Sequence, residues 1–143
     1  MPSIEVTDWL AIKRHIDTLV TSPTMPRFDP GAIVTPPSDA TGPSPFILLS
    51  DVTNDPVRVG INGSVPHVRS GTLMLAVQWP IARVVSHTQL KEIAGQIAAH
   101  FMADTCMSYG ASRLRVTADA SALPAYVDGA YRVAVVRVLW SSM

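Results

Sequence analysis

The chain has 143 residues, with 11 basic and 11 acidic side chains and a formal net charge of zero; 48% of residues are hydrophobic and 15% charged. That length fits one domain with one core, and Lys and Arg scattered singly give no basic patch of the kind that grips nucleic acid or an anionic membrane surface. The charged fraction lies below the roughly 25% usual for soluble domains, so part of the surface is expected to be covered by partners.

One cysteine, Cys106, excludes an intrachain disulfide and fits a reducing compartment. In "FMADTCMSYG" it reads as a small apolar residue near the core edge rather than a catalytic thiol. The start, "MPSIEVTDWL", lacks the basic and apolar regions of a signal peptide, and no apolar run is long enough to span a bilayer. A soluble protein, intracellular when synthesised, is expected.

Residues 4–20 place Trp9, Ile12, Ile16, Leu19 and Val20 at helical spacing. Ser3 suits the N-cap, and Glu5 and Asp8 suit the positive end of the helix dipole. Prolines 23, 26 and 30 then stop the helix. Segment 23–45 reads as a proline-rich flexible loop of the same single domain, 1–143, with a short strand candidate at 32–35. Residues 46–52 and 57–61 are strand-like, separated by a turn at 54–56. A loop, 62–71, leads to a strand at 71–79, which Pro80 ends.

A second helix follows, opened by Ser86 and Gln89 in capping-box form. Leu90, Ile93, Ala94, Ile97, Ala98, Phe101 and Met102 make one apolar stripe, with Lys91, Glu92, Gln96 and His100 elsewhere. Residues 112–119 read as a strand, Asp128-Gly129 as a turn, and 131–140 as the strongest strand by β-branched content. The order α-β-β-β-β-α-β-β implies an α+β two-layer sandwich, a mainly antiparallel or mixed sheet with two helices on one face.

Two strands carry apolar side chains on both faces. In 71–79 Leu73, Leu75, Val77 and Trp79 alternate with Thr72, Met74, Ala76 and Gln78. In 131–140 Tyr131, Val133, Val135, Arg137 and Leu139 alternate with Arg132, Ala134, Val136, Val138 and Trp140. With helices on one side only, the other face is expected to meet solvent, loops or another subunit.

Chemical signatures are missing. "GINGS" at 60–64 lacks the Gly-Lys-Ser/Thr end of a phosphate-binding loop, and "GASRL" at 110–114 lacks the second glycine of a nucleophile elbow. His15, His67, His87 and His100 have no metal-binding spacing. Asp51, Asp55, Asp119 and Asp128 fall at strand ends and turns, where Asp bonds its own backbone. No catalytic residue, cofactor or metal ligand is expected. Arg58, Arg115, Arg132 and Arg137 interrupt apolar strands, as solvent-facing side chains or as intersubunit contacts.

The succession of the Pro-rich "RFDPGAIVTPPSD", "FILLSDV", "VRVGINGS", "RSGTLMLAVQWP", "SHTQLKEIAGQIAAHF" and "DGAYRVAVVRVLW" resembles the tail terminator (tail completion) proteins of long-tailed bacteriophages, over about residues 5–140. It departs from them in "IARVVS" after Pro80 and in "CMSYGA". The resemblance implies an α+β subunit without catalysis that forms a ring, typically a hexamer, on the head-proximal end of the tail tube. There it stops tube polymerisation and offers a joining surface to head-completion proteins. Implied partners are other copies of the chain, the tail tube protein and a neck protein. The implied location is the virion, after assembly in the host bacterial cytoplasm.

On this reading the subunit interface is expected at Met74, Ala76, Gln78 and Arg137, with Arg58 and Arg132 as further candidates, and Met74→Asp is expected to block assembly. Other readings are a different neck or tube component and a small enzyme or ligand-binding domain. A tube subunit needs a long hairpin of alternating strands, which is not evident in the sequence.

Overall fold

A computed structural model describes the backbone of residues 3–54, 57–58 and 67–142; the side chains of Val57, Arg58 and His67 fall outside that description. The elements are α1 (Ile4–Ile16), β1 (Arg27–Phe28), β2 (Ser38–Asp39), β3 (Gly42–Pro43), β4 (Phe46–Thr53), β5 (Val57–Arg58), β6 (His67–Val68) and β7 (Ser70–Pro80). They continue with α2 (His87–His100), β8 (Cys106–Tyr109), β9 (Ser112–Val116), β10 (Ser121–Ala122), β11 (Tyr126–Asp128) and β12 (Tyr131–Ser142).

Ser3 caps α1 by accepting from the Val6 amide, and Ser86 caps α2 by accepting from the Gln89 amide at 3.1 Å. The first helix ends four residues before the expected 20. Thr18 Oγ1 donates to the His15 carbonyl, and Arg27 donates to the carbonyls of Ile16 and Leu19, satisfying groups the last turn leaves free. Leu19 is still buried, but Val20 is 83% exposed and plays no part in the stripe.

The main sheet runs β1-β4-β7-β12-β9-β8, with β10 and β11 also on β12. The β4/β7, β7/β12, β9/β12 and β8/β9 pairs are antiparallel and β1/β4 is parallel, so the sheet is mixed. Helix α1 lies on β8 and β9, and α2 on β12 and β10. Ile12, Ile16, Leu90, Ile93, Ile97 and Phe101 pack with Leu73, Leu75, Val77, Val136 and Val138 in one core on one face of the sheet. This is the expected two-layer α+β sandwich. Each fully buried aliphatic side chain contributes about 2 kcal/mol of transfer free energy.

Three local readings are corrected. Residues 32–35 form no strand; order in that region comes from the β2/β3 hairpin. There Asp39 Oδ1 accepts from the Thr41 amide and hydroxyl and from Arg83 Nη2, and these bonds, Thr41's first, hold its carboxyl well below the usual carboxylate range. Residues 106–109 form β8, which puts Met107 in the core and leaves Cys106 exposed rather than at the core edge. Met102 leaves the stripe at 59% exposure, because α2 stops at His100. Of the 57–61 strand, only β5 lies within the described residues, paired with β6.

The strands β7 and β12 pair over eleven consecutive positions, Pro80↔Tyr131 to Ser70↔Ser141. This long antiparallel pair was not evident in the sequence. It is no hairpin, since α2 and four strands intervene. Among the described residues no helix is long and apolar enough to cross a membrane.

Candidate functional site on the helix-free sheet face

The pleat sends Leu73, Leu75, Val77 and Trp79 into the helix-covered core, all at most 5% exposed, and leaves Thr72, Met74, Ala76 and Gln78 half-buried on the other face. Antiparallel pairing places directly opposed residues on the same face, so three-residue rungs cross β4, β7 and β12. They read Phe46–Gln78–Val133, Leu48–Ala76–Val135, Ser50–Met74–Arg137 and Val52–Thr72–Leu139.

This face is not uniform. At one end Phe46 and Val133 are buried, and Phe28 and Tyr131 each meet Phe46 edge-on at 5.5 Å. At the other end Ser50 and Arg137 are exposed, Val52 is 56% exposed and Leu139 41%. Met74 sits at the boundary, directly across from Arg137. The open end therefore sets Val52, Met74 and Leu139, with Ser50 and Ser121 of β10, about one guanidinium.

Met74, Ala76, Gln78 and Arg137 thus share one surface. Arg132 does not. It lies on the opposite side of β12, across from Trp79, and its guanidinium donates to the Val85 carbonyl at 3.4 Å. The Arg58 side chain lies outside the described residues. Sequence reasoning missed Leu48, Ser50 and Val52, which extend the face onto β4; the alternation in "FILLSDV" was the available signal.

The rungs carry no carboxylate, imidazole or thiol, and Arg137 is their one titratable side chain; Asp128, Tyr126 and Tyr131 flank them at one end of the face and Arg113, Arg115 and Cys106 lie beyond them on β9 and β8. Among the described residues no three His, Cys, Asp or Glu side chains converge as metal ligands would. The arrangement offers contact area and one cation, not a proton donor and acceptor pair.

Residues 9–140 match the family model described as "Phage tail terminator protein". The chain belongs to the phage tail terminator family. The protein is accordingly a structural component of a phage tail, and the family is one of structural proteins rather than enzymes. A solved structure with 14% identity superposes with a TM-score of 0.69, covering 94% of this chain and 95% of the other. At that identity it supports the fold alone. A comparison with curated proteins finds no match.

A second polar centre in this terminator was not foreseen. Asp8, read as a helix-dipole residue, is 5% exposed. Arg69 holds it through two hydrogen bonds, Nε to Oδ2 at 2.6 Å and Nη2 to Oδ1 at 3.1 Å, and Ser112 Oγ donates to Oδ1 at 2.7 Å. The same arginine's amide donates to Ser142 Oγ at 2.9 Å. The cluster ties α1 to the starts of β7 and β9 and to the end of β12.

Proposed function

We propose that the protein assembles into a ring, a hexamer, at the head-proximal end of a phage tail tube. The ring ends tube polymerisation and presents the surface on which a head-completion protein docks. Its partners are other copies of the chain, the tube protein and the neck protein, and it is assembled in the cytoplasm of the host bacterium. Membership of the terminator family supports this reading. The observation that carries the subunit contact is the open end of the helix-free face, which sets the partly or fully exposed Val52, Thr72, Met74 and Leu139 on the same surface as Arg137.

Two measurements test it. Particles lacking the gene should show tails of uncontrolled length or tails unjoined to heads; normal tails on heads would sink the function. For the contact, the register refines the choice of substitution. An Asp at position 74 would stand opposite Arg137 and be partly neutralised by it, so Met74→Lys is the sharper change. Met74→Lys should leave monomer stability within about 1 kcal/mol and abolish rings on purified tail tubes, because it sets two like charges in a drying contact. Rings at the wild-type level would refute this face.

A different neck or tube component is the second reading, although the β7/β12 pair is not the hairpin a tube subunit needs. Locating the labelled protein in intact particles separates the two.

A further inference from the structure

A cavity of about 270 Å³ opens at the far end of the helix-covered layer, lined by Glu5, Asp8, Trp9, Asp51, Arg69 and Trp140, with Thr53 and Asn54 at its rim. It brings three carboxylates against one guanidinium. Arg69 is already committed to Asp8, which leaves exposed Glu5 and half-buried Asp51 without an ion pair among the described residues.

The interior is unfinished. Asp51 Oδ1 and Trp140 Nε1 are both buried and neither has a hydrogen-bond partner among the described residues; Trp140 is 2% exposed overall. Burial pushes the Asp51 carboxyl up; the Trp140 indole stands near enough to oppose the rise but outside hydrogen-bond geometry, and the Asp8 charge adds to it. A buried carboxylate oxygen left unpaired is expensive, and a cationic hydrogen-bond donor would relieve it. A planar guanidinium suits such a site. It donates to carboxylates in a fork, and Trp9 and Trp140 supply aromatic surface for cation–π contact.

We propose that this cavity receives a guanidinium group, and that Arg137 of a second copy of the chain supplies it. The choice of occupant rests on the ring reading above and on placement. Arg137 is exposed and makes no hydrogen bond or ion pair among the described residues. It stands on the helix-free face, whereas Asp51 pairs with Leu73 and so belongs to the helix-covered face. One chain cannot bring the two together. A contact between them in two copies is head-to-tail, the kind that propagates and closes into a ring.

The test has two arms on the full-length protein. In the first, N-acetyl-arginine amide is titrated while tryptophan fluorescence is followed, with N-acetyl-citrulline amide as the neutral isostere. Saturable binding is expected in the wild type, at least tenfold weaker for Asp51→Asn and for the citrulline probe. Equal binding in either comparison, or none in the wild type, overturns the cavity assignment; an unchanged melting midpoint for Asp51→Asn guards against misfolding.

In the second arm, rings are counted on purified tail tubes. Arg137→Glu and Asp51→Arg should each reduce them at least tenfold, and the double swap should restore them. Rings unaffected by the single changes overturn Arg137 as the supplier while the ring reading stands. Loss with Arg14→Glu but not Arg137→Glu does the same, since Arg14 is also exposed and unpaired among the described residues. A wild type that makes no rings under any condition overturns the ring reading and the supplier together, and leaves the first arm to decide the cavity.

Discussion

Asp8 shows how a residue's role depends on what stands behind it. A carboxylate in the first turns of a helix is favoured by the dipole, and the sequence supports nothing further. The stripe offered a hint, because Asp8, Ile12 and Ile16 follow one another at four-residue steps and Ile12 and Ile16 are fully buried. A charge in line with core residues needs a partner, but Arg69 lies 61 positions away and Ser112 farther still, and periodicity does not reach across such gaps. Breaking a buried pair strands the surviving charge, so Asp8→Ala is expected to destabilise the fold by about 3 kcal/mol. Replacing both partners, Asp8→Leu with Arg69→Met, is expected to recover most of that. Urea denaturation of the two variants checks the ordering, and a double variant as weak as the single would contradict it.

At the level of elements, β7 and β12 were legible because their alternation is long and rich in branched residues. The short strands β8, β10 and β11 were not. Four residues or fewer carry too little pattern, and their pairing depends on β9 and β12 rather than on their own composition. The helix-free face of β7 was visible in Thr72, Met74, Ala76 and Gln78, whereas Arg132 could not be separated from Arg137 until the rungs were known. The one glycine of β7 has a specific cause. A Cβ at Gly71 would stand 2.6 Å from Trp140 Cζ2 and 2.6 Å from the Val52 carbonyl oxygen, so neither the indole nor the neighbouring strand has room for it. Gly71→Ala is expected to cost about 1–3 kcal/mol by overpacking. A melting midpoint equal to the wild type would show that β4 gives way freely.

For the whole molecule, the two helices are joined at their C-terminal ends by a pair of histidines. The rings of His15 and His100 stack at 4.1 Å, and the Nε2 of each meets the other's backbone carbonyl at 2.8 and 2.9 Å. Thr18 Oγ1 lies 3.0 Å from His100 Nε2, and the edge of Phe101 closes the cluster. Burial lowers the His15 imidazole below its ordinary value; its bond to the His100 carbonyl works the other way, and the adjacent ring adds to the lowering. The unfolded chain therefore binds this proton more readily than the folded one, so stability is complete above the ordinary value of 6.5 and declines as pH falls below it. The urea midpoint should drop between pH 7.5 and 5, and His15→Gln should flatten that slope; equal slopes would dismiss the pair as its source. The layered architecture was readable from the order of elements, but the sheet order was not, because β12 joins strands scattered along the chain. That order has a temporal consequence. The central strand is the last of the described strands in chain order, and β7, β9, β10 and β11 all wait for it. A chain leaving the ribosome must hold β4 and β7 with their apolar faces unmatched until residue 142 has emerged. The helix-free face, on which the proposed subunit contact lies, thus takes shape only once β12 has been made, and a half-made domain does not present it.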